Sequence, residues 1–124
     1  MAYKKILVGT DGSSTASEAV ARAVEVAKVT GARLTILTAG RPPTAQLVVD
    51  RAAAAYADAG VEIDTMVDGR DAATALVDAA DAGDYDLLVV GNKGMTGASR
   101  FFLGSVPNKV SHHVSRSLLI VRTT

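Results

Sequence analysis

Leu87-Leu88-Val89-Val90-Gly91-Asn92-Lys93-Gly94-Met95-Thr96-Gly97-Ala98-Ser99-Arg100-Phe101-Phe102-Leu103-Gly104-Ser105-Val106 joins an apolar run, two glycine turns and the start of a helical pattern. The short continuous run Leu87 to Val90 predicts a strand buried on both faces. A helix is predicted from Ser105, with Val106, Val110 and Val114 turned inward and Pro107 tolerated in the first turn. Glycines between a strand and a helix N-terminus make an anion-binding arrangement. No Cβ keeps phosphate oxygens from the backbone N–H groups, and the first helical turn adds unpaired donors and the positive end of the dipole. The same glycines could simply close a β-to-α connection, so the rest of the chain decides.

Working outward, strand and helix signals alternate. Lys5 to Val8 reads as a buried strand ended by Gly9-Thr10-Asp11-Gly12. Ser13, Ser14 and Thr15 then offer N-caps, Thr15 with Glu18 having the spacing of a capping box. Ala16, Ala19, Val20, Ala23 and Ala27 share one helical face, and Gly31 stops the helix. Leu34 to Leu37 is a second buried strand, broken by Gly40-Arg41-Pro42-Pro43. Thr44 caps an alanine-rich helix running to about Asp58, ended by Gly60. From Val61 to Val67 apolar and polar residues alternate, the period of a strand with one wetter face. Asp71 caps a third helix with inner positions Ala72, Ala75, Leu76 and Ala79, and Gly83 terminates it. Leu118 to Val121 is the fifth strand.

Five strands alternating with four helices predict one domain over residues 1–124. Its architecture is α/β, an open five-stranded parallel sheet with helices on both faces. The alternating third strand belongs at an edge, so the order 3-2-1-4-5 fits. Winding then reverses between strands one and four, and ligands in such sheets bind at the carboxyl ends of the strands at that switch point. Thr10-Asp11-Gly12 and Gly91-Asn92-Lys93-Gly94 both arrive there.

Composition narrows the function classes. Hydrophobic residues are 48% and charged residues 21%, with 13 basic against 13 acidic side chains. That balance predicts a folded domain with no nucleic-acid partner. The chain has no cysteine, which excludes disulfides, thiolate metal sites and thiol catalysis. The N-terminus leads straight into a strand, and no apolar stretch approaches a bilayer span, so no membrane partner and a cytoplasmic location are expected.

The spacing Gly91, two residues, Gly94, nine residues, Gly104-Ser105 resembles the ATP-binding signature of the universal stress protein family. The opening Lys4 to Ser13 and the ending Leu103 to Val121 are also similar to that family. The resemblance implies a Rossmann-like fold, an adenine nucleotide as ligand, ATP foremost and cyclic AMP as the alternative, and a homodimer. It further implies that Gly9, Thr10 and Asp11 bracket base and ribose, that Ala39 lines the adenine, and that Val90 and Gly91 lie under the ribose. Gly94, Gly104, Ser105 and Val106 would hold the phosphates, with Lys93 and Met95 counted among the loop contacts. Magnesium would enter only through the phosphates. One departure stands out: the connection after the second strand is shorter than in most of the family.

Read as chemistry, Asp11 is acceptor-only when ionised, suiting a ribose hydroxyl or the adenine amino group, or else a cap for the following helix. Ser105 as N-cap could bond its own helix or a phosphate oxygen. Lys93 and Arg100 are either phosphate charges or solvated loop residues. His112 and His113 fall near the helix C-terminus, where cations are favoured anyway, and Asn108 lies one turn in. Among competing classes, a nucleotide hydrolase lacks the Gly-Lys-Ser or Gly-Lys-Thr end of a P-loop and an obvious magnesium carboxylate pair, leaving slow hydrolysis as its remaining form. A phospho-receiver wants an acidic pair after strand one and a lysine after strand five. A flavin site wants aromatic stacking, yet Trp is absent and Phe occurs twice. The apolar last strand, Leu118-Leu119-Ile120-Val121, would be an unprotected sheet edge, best covered by the same strand of a second copy.

Overall fold

The computed structural model describes residues 3–92 and 105–123. Five strands, β1 (Lys5–Gly9), β2 (Arg33–Ala39), β3 (Ile63–Asp68), β4 (Leu87–Gly91) and β5 (Ser117–Val121), alternate with α1 (Ser14–Thr30), α2 (Thr44–Ala54), α3 (Ala72–Ala82) and α4 (Ser105–His113). All pairings are parallel and the order is β3-β2-β1-β4-β5. The predicted sheet and its reversal between β1 and β4 are therefore present.

The apolar runs are continuous because both sheet faces are covered. Ile6 and Val8 of β1, Leu34 and Ile36 of β2, and Leu87 and Val89 of β4 point to the face carrying Val20, Val24 and the alanines of α1, with Val49 of α2. Leu7, Leu37, Leu88 and Val90 point to the opposite face, against Ala75 and Leu76 of α3 and Val110 of α4. Each fully buried aliphatic side chain stabilises by on the order of 2 kcal/mol. β3, at the edge, keeps Asp64 and Thr65 exposed.

Several local expectations shift. The α1 cap is Ser13, whose Oγ accepts the Ala16 N–H at 3.1 Å, so Thr15 lies inside the helix and makes no capping box. Gly31 closes α1 at φ 73°, in the left-handed region, its N–H donating to the Ala27 carbonyl. Thr44 is the first residue of α2 rather than its cap, and Pro43 before it offers no side-chain acceptor. α2 ends at Ala54, short of Asp58: the Tyr56, Ala57 and Ala59 amides bond carbonyls three residues back, as Tyr56 and Ala59 fold against the sheet. In α3 the buried positions are Ala73, Ala75, Leu76 and Ala80, not Ala72 and Ala79, because α4 as well as the sheet covers this helix. Asp71 caps it as expected, accepting the Thr74 amide at 3.1 Å.

β2 continues two residues past Leu37, pairing Thr38 with Val67 and Ala39 with Asp68. Beyond the strand ends, the Thr10 amide donates to Leu37 and the Asn92 amide to Val121, at 2.9 and 2.8 Å. These bonds hold the carboxyl end of the sheet in place. Among the described residues no helix is long and apolar enough to cross a membrane.

Candidate functional site

A cleft of about 320 Å³ opens where β1 and β4 part company with their neighbours' connections, within the usual size of a small-molecule site. It is lined by Gly9, Thr10 and Asp11 at the end of β1, by Ala39 at the end of β2, and by Val90 and Gly91 at the end of the neighbouring β4. Ser105 and Val106, the first residues of α4, close the side facing Gly91. These eight expected residues thus meet in one place. Lys93, Gly94, Met95 and Gly104, with Arg100 and most of the glycine segment, lie outside the described residues.

Local bonds set the wall at β1. The Asp11 carboxylate accepts the Ser13 amide through Oδ1 at 2.8 Å, and Thr10 Oγ1 accepts the Gly12 amide at 3.1 Å. Asp11 thereby shapes the turn into α1 with one oxygen, while Oδ2 has no partner among the described residues. Both of its sequence readings coexist, because the two oxygens can do different work. Asp11 is also the one charged side chain among the described lining residues. Gly9 leaves room for its neighbour: a β-carbon there would stand 2.9 Å from Cδ1 of Leu76, another lining residue, and would push that flexible side-chain end aside.

Ser105 is the first residue of α4 rather than its cap, since it is already helical. In that position its amide belongs to the first turn, whose N–H groups have no partner within the helix, and Ser105 lines the cleft. Asn92, expected in the turn, is not a lining residue. It is 8% exposed, and its Oδ1 accepts the Thr123 amide and hydroxyl at 2.8 and 2.9 Å. Asn108 is exposed, its carbonyl accepting the Ser111 hydroxyl. His112 Nδ1 lies 2.9 Å from the Asn108 carbonyl, and His113 lines a separate concavity between α3 and α4 with Thr74, Asp78 and Lys109.

Sequence reading missed Ala16, Leu37, Thr38, Ala72, Leu76 and Pro107 as lining residues. A usable signal existed for two of them. In a parallel sheet each strand delivers the chain to a helix N-terminus at the same end, so small residues just after the caps, Ala16 after Ser13 and Ala72 after Asp71, belong to the rim. Thr38 and Leu37 required knowing that β2 runs on to Ala39. Among the described residues no group of three His, Asp or Glu side chains could hold a metal ion.

Comparison with known proteins bears on this cleft. The model of the universal stress protein family matches residues 2–58 and 43–122, two stretches that overlap at α2. Universal stress protein Rv1636 of Mycobacterium tuberculosis H37Rv is 32% identical over 145 aligned positions, covering 99% of each chain. A universal stress protein crystallised in complex with cAMP is 37% identical, superposes with a TM-score of 0.87 and covers 100% of both chains. The universal stress protein from Archaeoglobus fulgidus in complex with dAMP is 25% identical with a TM-score of 0.75, covering 97% of this chain and 98% of its own.

Proposed function

The chain belongs to the universal stress protein family, and on that premise we propose that it binds an adenine nucleotide, ATP foremost, and changes state with occupancy in a cytoplasmic stress response. The observation that carries this reading is the convergence of Asp11, Ala39, Gly91 and the α4 N-terminus on one cleft at the switch point. The base lies along Ala39, the ribose over Val90 and Gly91 with its hydroxyls toward Asp11, and the phosphates toward the amides of Ser105 and Val106. By the family resemblance Gly94, Gly104, Lys93 and Met95, which lie outside the described residues, would join in holding the phosphates. The cleft offers main-chain donors and a single carboxylate, a recognition site in which a magnesium ion arrives on the phosphate chain.

Cyclic AMP is the second reading, favoured by the 37% identical relative solved with that ligand. The functional unit is a homodimer joined through β5, whose outer edge ends the sheet and carries Leu118, Leu119 and Ile120 only half-buried. Two experiments test the ligand. Heat release from the purified protein, followed by mass spectrometry, identifies any nucleotide carried through purification. Calorimetric titration then ranks ATP, cyclic AMP and GTP, where a micromolar constant corresponds to about 8 kcal/mol. Equal affinity for GTP, or no uptake of any nucleotide, contradicts the reading. Incubation with ATP and product analysis separates a non-catalytic binder from a slow hydrolase.

A further inference from the structure

Two arginines stand just past the ends of neighbouring strands, Arg41 two residues after the cleft-lining Ala39 and Arg70 two residues after Asp68, and they differ in status. Arg70, in the turn before α3, is engaged: Nε and NH2 contact Asp68 at 3.1 and 2.8 Å, and NH1 contacts Asp78 at 2.6 Å. Arg41 is exposed; its carbonyl accepts the Ala45 amide at 3.0 Å, and its guanidinium has no hydrogen-bond or ion-pair partner among the described residues. Its side chain runs beside Gly69, where a β-carbon would lie 3.8 Å from Arg41 Cγ and 3.9 Å from Nε. Gly40 ties this connection to the sheet by donating its N–H to the Asp68 carbonyl at 2.8 Å.

The connection itself is short. Aligned over 145 positions with the mycobacterial relative, this chain supplies only 124 residues, so the relative carries a segment that is missing here. The overlap of the two family matches at residues 43–58 puts that missing segment beside α2. Between Ala39 and α2 there remain only Gly40, Arg41, Pro42 and Pro43. Arg41 is the one long side chain of this connection.

We propose that Arg41 is a specificity-determining residue that lays its guanidinium on the solvent-facing side of the bound nucleobase, covering it where the missing segment leaves it open. A guanidinium is planar, permanently charged and weakly hydrated, and it stacks on aromatic faces as an ammonium does not. Arg70 cannot substitute, because moving it breaks its contacts with Asp68 and Asp78. The inference rests on the nucleotide reading above and adds the residue that senses the base.

The test titrates ATP and cyclic AMP into the full chain and into Arg41→Ala and Arg41→Lys, with inorganic triphosphate as the base-free probe. Arg41→Ala weakens both nucleotides by roughly 3- to 10-fold and leaves triphosphate unchanged. Arg41→Lys keeps the charge but loses most of the stacking, so it weakens the nucleotides nearly as much. An equal loss for triphosphate assigns Arg41 to the phosphates and overturns the proposal, as does unchanged nucleotide affinity. If the unaltered chain takes up no adenine nucleotide, the proposed function itself fails and this inference falls with it. Unchanged thermal midpoints in the variants exclude misfolding as the cause of a loss.

Discussion

Gly9 shows how one missing carbon shapes the cleft. The tip of Leu76 occupies the space a β-carbon would need, and both residues line the cleft. Gly9→Ala therefore displaces a flexible leucine end into the cavity, and we expect nucleotide affinity to fall more than stability does, read by calorimetry beside a denaturation curve. Asp11 divides its labour between turn and ligand. Asp11→Asn keeps an oxygen for the Ser13 amide, so the thermal midpoint holds while affinity drops several-fold, whereas Asp11→Ala loses both. Equal affinity in Asp11→Asn and the unaltered chain would remove Asp11 from the site. Ser13→Ala deletes the α1 cap and should cost about 1 kcal/mol in urea denaturation. Gly9, Gly91 and Asp11 were legible as cleft positions at this scale because glycine and acceptor chemistry are local. The choice of Ser13 over Ser14 and Thr15 was not, since neighbouring hydroxyls differ little in capping propensity and the fold sets which one meets the first helical amides.

Elements are held at the sheet's carboxyl end by side chains that no periodicity reveals. Asn92 binds the exit of β4 to the residues after β5 through Thr123. Asn92→Ala leaves the part-buried Thr123 amide and hydroxyl without their acceptor and should cost about 1 kcal/mol, seen as an earlier guanidinium midpoint. At β3, the Arg70 guanidinium and then the Arg70 amide hydrogen-bond to Asp68 and hold its carboxyl down at about 2, from 3.8. A carboxyl lowered on folding favours the charged native state. Its contribution is whole above 3.8 and disappears as the pH falls through about 2. Asp68→Asn should flatten the acid limb of a dichroism titration in that window, and parallel limbs for variant and unaltered chain would count against it. α2 teaches the opposite lesson to β2. Alanine-rich propensity extended the helix to Asp58, yet packing of Tyr56 on the sheet ended it at Ala54, while β2 runs past Leu37 because β3 pairs with Thr38 and Ala39 where β1 has already ended.

For the whole molecule, occupancy and assembly are the measurable consequences. A ligand bound only by the folded state, supplied at about 100 times its dissociation constant, adds about 2.7 kcal/mol. In a chain of this size that raises the unfolding midpoint by several degrees, so differential scanning with ATP and cyclic AMP should show the shift and GTP should not. β5 ends the sheet with a half-buried apolar strand that pairs with β4 on one side and has no neighbouring strand on the other among the described residues. Sedimentation at micromolar concentration should give the mass of two chains, and a monomer there would sink the β5 pairing.

From sequence alone came the five strands, their order, the edge place of β3 and the switch point. A strand covered on both faces reads as a continuous apolar run; β3 departs from the expected alternation, with Thr65 exposed and Met66 packed on the core face opposite Ile63 and Val67. The three-dimensional structure alone decided that Asn92 bonds Thr123 rather than lining the cleft, and that Arg70 is engaged by Asp68 and Asp78 while the Arg41 guanidinium has no partner among the described residues. Those outcomes depend on which side chains meet across elements distant in the chain, and no local pattern encodes a contact between residues 41 and 69 or 92 and 123.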